Sequence, residues 1–332
     1  MTMDGHAHII VPEATRDAGV ESWRPHVYWE QGKQTVEAGG RQIRSALHEF
    51  VQIEAILRFQ ESRGMDRTLL CPWVPLLGYE LEAEEGLRAC RVQNDALARL
   101  VESYPGRVAA LGAVPLQAPE VAARELEALM AGRRLRGVEV AAGVRGVPLG
   151  DDRFLPFWEA AEASHALVFI HPTTRGFDMA ALGGYYMWNT VGNPLETAIT
   201  AAQMVMAGVM ERYPRLKVLL AHGGGALMCV RGRLRHSHSF QSDARSRLRE
   251  SPDASLRRLY YDTVTHDADL LRSLVDYAGA DHVLLGSDYP FDMGVADPVG
   301  DVRGLGLPAG DEAAILGGNA LRLLGEEEAR HA

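Results

Sequence analysis

Short apolar runs alternate along this chain with longer stretches in which apolar residues recur every three or four positions. The runs occupy residues 3–10, 68–71, 108–114, 137–140, 166–170, 217–221, 259–262 and 282–286. Their length and β-branched content predict strands. The periodic stretches at 88–103, 119–130, 195–212, 267–277 and 311–324 predict amphipathic helices. Eight strands with helices between them point to an α/β fold, a (β/α)8 barrel, spanning residues 1–332 as one domain. An open doubly wound sheet is the rival, but the Gly-rich fingerprint it usually carries after its first strand is absent.

Two insertions distort the alternation, one after the first strand at about 11–48 and one after the fifth at about 173–193. The second carries Gly183-Gly184-Tyr185-Tyr186-Met187-Trp188. Long structureless loops of this kind are often functional lids, though an ordinary surface excursion reads the same way.

Composition narrows the function classes. Lys plus Arg total 34 against 44 for Asp plus Glu, a net charge of -10, which argues against a nucleic-acid binder. An anionic small molecule remains compatible, because local arginines can grip a carboxylate inside an acidic protein. Cys71, Cys90 and Cys229 form neither a disulfide framework nor a C-x-x-C pair, as expected of reduced thiols in a cytoplasm. No apolar run approaches the ~20 residues that span a bilayer, and the N-terminus does not read as a signal peptide.

The polar residues at strand ends carry the chemistry. Parallel barrels gather reactive groups at the C-terminal ends of their strands. Strand one contains His6-Ala7-His8, whose imidazoles share a face because strand side chains alternate. Strand five ends in His171, strand six in His222, and strand eight runs into Asp288. Four imidazoles and one carboxylate at one rim suit zinc, manganese or iron. Singly, each has a plainer reading as a core hydrogen-bonding or turn residue. A second pair, His236-Ser237-His238, follows an Arg-rich helix away from any strand end and reads as surface. Gly223-Gly224-Gly225, after His222, suits either close approach of an anionic ligand to backbone amides or a tight strand-to-helix turn.

Asp4-x-His6-x-His8, Ile170-His171-Pro172, Ala221-His222-Gly223-Gly224-Gly225 and Gly286-Ser287-Asp288-Tyr289-Pro290-Phe291 together resemble the amidohydrolase superfamily. The branch they are most similar to holds 2-amino-3-carboxymuconate-6-semialdehyde, γ-resorcylate and 5-carboxyvanillate decarboxylases. That resemblance implies a distorted barrel with one divalent metal, usually zinc, with manganese the alternative. It implies His6, His8, His171 and Asp288 as ligands and His222 as a catalytic residue. Asp288 would also pass a proton. Arg233 would reach a substrate carboxylate across a homodimer interface, Arg44 would be a second carboxylate binder, and Trp188 would line the pocket. Gly223 and Gly224 would offer amides to the substrate. His266 is a candidate behind the ligands or a core hydrogen-bonding residue; Asp262 could orient a ligand, and His48 and Glu196 are weaker candidates. Three positions depart from the branch: Leu227-Met228 stands where Phe-Pro is common, and Ser287 replaces a threonine.

The activity implied is non-oxidative decarboxylation of an unsaturated or aromatic carboxylic acid. The alternative is a hydrolase or hydratase using the same metal on a lactone, amide, C–C bond or double bond, since function lives in the pocket and not in the barrel.

Overall fold

The structure, a computed structural model, describes residues 1–15, 23–30, 33–38, 41–45, 48–132, 134–173 and 180–326. All eight expected strands form: β1 (Met3–Ile9), β2 (Arg67–Pro72), β3 (Val108–Ala110), β4 (Gly137–Ala141), β5 (Leu167–His171), β6 (Lys217–Leu220), β7 (Tyr260–Asp262) and β8 (Val283–Leu284). Every pairing between consecutive strands is parallel. Two seams close the ring. Between β3 and β4, Gly112 donates to Gly137 O and accepts from Glu139 N, both at 2.9 Å. Between β8 and β1, Gly5 N donates to Leu285 O (2.7 Å), Asp288 N to His6 O (2.8 Å) and His8 N to Tyr289 O (2.8 Å). The fold is therefore a (β/α)8 barrel.

Strand parity divides the apolar residues between two cores. Leu167 and Phe169 of β5, Leu219 of β6 and Leu284 of β8 point inward, where Leu321 and Leu323 of the last helix, Asn319–Leu323, plug the N-terminal end. Val168, Ile170, Val218 and Val283 point outward against the surrounding helices. A register shift in β1 between Asp4 and Ala7 lets Met3, His6 and His8 all face the interior.

Some elements differ from expectation. The helix expected over 195–212 is broken by Gly208, whose left-handed φ of 77° separates Asn193–Met206 from Val209–Arg212. The stretch 311–324 is likewise divided, into Ala309–Ala313, a wide turn at Ala314–Gly318 and Asn319–Leu323. The first insertion is not structureless: His26–Glu30, Lys33–Ala38 and Arg41–Ser45 form an antiparallel sheet. The second insertion is described from residue 180, and its Tyr186 hydroxyl donates to Asp292 on the loop after β8 at 2.8 Å. No helix among the described residues is long and apolar enough to cross a membrane. Cys71, Cys90 and Cys229 are free thiols.

Phe169 is fully buried on the inner face of β5 and meets the His6 ring edge-on at 4.7 Å. Phe169→Ala would leave a cavity directly beneath the imidazoles. It is expected to lower unfolding free energy by ~3–5 kcal/mol in a denaturant titration.

Candidate metal centre

The inward parity of each strand carries the polar groups to one place. In β5 the series Leu167, Phe169 continues to His171, and in β8 Leu284 continues through Gly286 to Asp288. One ligand atom from each of His6, His8, His171 and Asp288 lies within 4.8 Å of all the others, and all four residues are buried. The Nε2 atoms of His6 and His8 stand 3.0 Å apart. Asp288 Oδ1 lies 3.2 Å from each of them.

Each imidazole is oriented from behind. His6 Nδ1 meets Asp262 Oδ2 at 2.6 Å, His8 Nδ1 faces Pro72 O at 3.4 Å, and His171 Nδ1 faces Pro172 O at 3.0 Å. If each Nδ1 holds its proton for that acceptor, three Nε2 lone pairs point inward. His171 Nε2 and Asp288 Oδ1 have no hydrogen-bond partner. Unpartnered buried acceptors packed this tightly cost several kcal/mol unless a cation neutralises them. Atoms bound to one metal at ~2 Å stand ~3 Å apart, which is the spacing seen between the two strand-one nitrogens. The residues fit a divalent metal.

His222 breaks the parity of β6, where Leu219 and Ala221 face inward. A left-handed φ of 58° turns it back toward the cluster, and Asp288 has a similar φ of 56°. Non-glycine residues in this region are strained and concentrate at functional sites. His222 Nε2 lies 3.3 Å from Asp288 Oδ2, while its Nδ1 is buried without a partner.

Burial shapes the charges. It pushes His171 well below the usual imidazole range, helped by the neighbouring imidazoles, and lowers His8 too. For His6 burial also acts downward, but the charges of Asp288 and Asp262 and their hydrogen bonds outweigh it and raise the group to about 10. Burial would raise Asp288, yet the surrounding imidazoles hold it well below the carboxylate range. Asp4 is pushed up to about 6 by burial, against hydrogen bonds from Ser287 and His6. Its carboxylate accepts from Ser287 Oγ (2.5 Å) and Ser287 N (3.1 Å), so it braces the residue next to Asp288.

The structure corrects two expectations. Gly223 and Gly224 do not present free amides: Gly223 N donates to Asp262 Oδ1 at 2.8 Å and Gly224 N to Ala221 O at 3.1 Å. The glycines serve a tight turn, since a Cβ at Gly225 would sit 2.2 Å from Pro194 O. His266 is exposed beyond β7 and not behind the ligands; that place belongs to Asp262.

Other candidates fall outside the cluster. Arg233 is exposed on the helix Leu227–Phe240, which also carries His236 and His238 away from any strand end. Trp188 packs edge-on against Tyr186 at 5.0 Å. Arg44 pairs with Thr35 in the inserted sheet, and its side chain lies outside the described ones, as does that of His48. Glu196 accepts from Thr173 N and Oγ1 at 2.8 and 2.6 Å, anchoring the second insertion.

Glu139 also borders the cluster, although it is not among the residues expected there. It is fully buried between outward-facing Val138 and Val140, 3.8 Å from His8 Nδ1, and burial raises it well above the carboxylate range. An acid in the middle of an apolar strand was the available signal. Phe291, 5.0 Å from the His8 ring, was likewise visible only as part of a motif.

A parallel barrel with three imidazoles and a carboxylate converging at its C-terminal rim defines a metal-dependent barrel enzyme. A family model described as amidohydrolase matches residues 78–325, and the chain belongs to that family. It is 32% identical over 256 residues to the 2-amino-3-carboxymuconate-6-semialdehyde decarboxylase of Dictyostelium discoideum, covering 76% of this chain and 71% of the relative. Among solved structures, 5-carboxyvanillate decarboxylase from Sphingomonas paucimobilis superimposes with a TM-score of 0.80 at 25% identity, covering 98% of both chains. The 5-carboxyvanillate decarboxylase from Novosphingobium aromaticivorans, solved with manganese and 4-hydroxy-3-methoxy-5-nitrobenzoic acid, also gives 0.80 at 19% identity, covering 98% and 96%.

Below its raised value of about 10, metal-free His6 carries a proton on the nitrogen a metal would take. A metal must displace it, so apparent affinity is expected to rise about tenfold per pH unit between pH 7 and 9. Titration calorimetry with Mn2+ in buffers of different ionisation enthalpy should show close to one proton released at pH 7.5. The same raised group stabilises the metal-free fold fully below the ordinary imidazole value, and that contribution is lost as pH climbs through 10.

Proposed function

We propose that this chain is a metal-dependent, non-oxidative decarboxylase, a carbon–carbon lyase acting on an unsaturated or aromatic carboxylic acid. The observation that carries this reading is His222: a strained, partly open imidazole beside a four-ligand cluster, in a chain whose relatives are named decarboxylases. His6, His8, His171 and Asp288 would hold the cation, for which zinc is the first candidate and manganese the second. A divalent cation there supplies Lewis-acid polarisation of a substrate oxygen.

His222 moves the proton. Its Nε2 and Asp288 Oδ2, at 3.3 Å, form a pair between which a proton can pass. Delivered to the carbon bearing the carboxylate, that proton breaks conjugation locally. The bond to the carboxylate then cleaves, CO2 leaves, and the electron pair left behind restores the unsaturated system. The balance is R–COO⁻ plus H⁺ giving R–H plus CO2, with no net redox change.

Arg233, Arg44 and Trp188 are the groups assigned to the substrate, the arginines to its carboxylate and the indole to its plane. Arg233 is exposed within one chain, so its assignment requires a second copy. Leu195 and Ile199, 39% and 43% exposed and one turn apart on Asn193–Met206, provide an apolar face beside the arginine's helix for a homodimer.

The test is CO2 release from a panel of aromatic and muconate-type acids. At least one acid should yield CO2, and His222→Ala should lower the rate by ~100-fold or more while metal content is retained. Turnover of lactones or amides without CO2 would assign the site to hydrolysis instead.

A further inference from the structure

Asp262 lies at the inward end of β7 and is fully buried. Four donors converge on its two oxygens. Oδ2 accepts from His6 Nδ1 at 2.6 Å and from His222 N at 3.0 Å. Oδ1 accepts from Gly223 N at 2.8 Å and from Val264 N at 3.0 Å. The carboxylate thus binds a metal-ligand imidazole through one lone pair. With the others it binds the backbone at the left-handed turn that aims His222 into the site.

The chemistry of this position admits only an acceptor. An amide of the same size has one oxygen and one NH2 group. Either orientation of that amide sets the NH2 against two N–H donors in a buried pocket, which costs ~1–3 kcal/mol for each donor left unmade. The arrangement at His6 also fixes the tautomer. With Nδ1–H committed to Asp262, the Nε2 lone pair is the one left for a cation. Because the same oxygen holds His222 N, the spacing between ligand and proton carrier is set by one carboxylate.

We infer that Asp262 is a positioning residue that couples the two functions of the site: it orients His6 for the metal and sets the backbone that presents His222. The inference rests on the metal-site reading, and its first readout is metal binding alone, which is independent of the reaction assigned above.

The experiment compares wild type with Asp262→Asn in Mn2+ titrations and, at saturating Mn2+, in turnover of whichever substrate the wild type accepts. The expected result is a 10- to 100-fold weaker metal affinity, as for other partners of metal-bound histidines. A further loss in kcat should persist at saturating metal. Unchanged affinity and kcat in a folded variant would overturn the inference. Weaker affinity with an unchanged kcat would overturn the coupling to His222.

Should Asp262→Asn not fold, Asp262→Glu keeps an acceptor-only group at a displaced position and is read the same way. The wild type gives an independent arm. In the Zn2+-loaded protein with 15N-labelled histidine, His6 should show a far-downfield Nδ1 proton protected from exchange. Its absence would overturn the inference whatever the variants do. Retained metal affinity in Asp262→Asn with no CO2 from any acid tested would count against the decarboxylase reading and this positioning role separately.

Discussion

The site depends on a single arrangement: each of the three ligand imidazoles has an acceptor behind its Nδ1. Asp262 stands behind His6, Pro72 O behind His8 and Pro172 O behind His171. A free imidazole in water divides its proton between two nitrogens; an acceptor at one of them settles the tautomer. Once the tautomers are settled and His6 gives up its second proton, three lone pairs face one another across a space a few ångströms wide, with Asp288 as the fourth donor. Water cannot easily relieve that crowding in a buried pocket, and a dication can. The barrel spends fold stability on holding this geometry, and strained φ values at His222 and Asp288 are part of that cost.

Much of this was legible in the sequence because the barrel imposes two regularities. Alternation of apolar runs and amphipathic stretches gave the eight strands, and strand parity placed His6 with His8 and carried His171 inward. What sequence could not show was which groups consume which hydrogen bonds. Gly223 and Gly224 resembled an anion cradle because glycine runs mark both ligand loops and tight turns. Only the observed donation of Gly223 N to Asp262 separates the two. Likewise His266 looked closer to the ligands than Asp262 did, because the sharp turn beyond β7 cannot be read from residue types. The inserted sheet was missed since its strands are too polar to stand out, although Gly39-Gly40 is a usable hairpin signal. The break at Gly208 was the clearest local sign not used, a glycine inside an otherwise regular helical period.

Function is carried by residues that violate local rules while the scaffold obeys them. Glu139 and Asp262 are acids on strands that otherwise bury apolar residues, and Asp4 is a carboxylate sealed at the seam with Ser287. Glu139 is the register partner of Phe169 on the neighbouring strand, and Asp262 lies two residues beyond Tyr260, the partner of Leu219. The lower barrel is packed like any core, and the upper barrel is built from groups that a core would exclude.

The seam between β8 and β1 has a consequence for how the protein matures. Asp288 follows His8 by 280 residues in the chain, yet they meet across the joint that closes the ring. A growing chain therefore carries the histidine pair without its carboxylate partner until β8 and the turn beyond it have been made. A metal held by all four ligands requires that joint to be closed, and it would tie the first and last strands of the ring together like the pin of a closed bracelet.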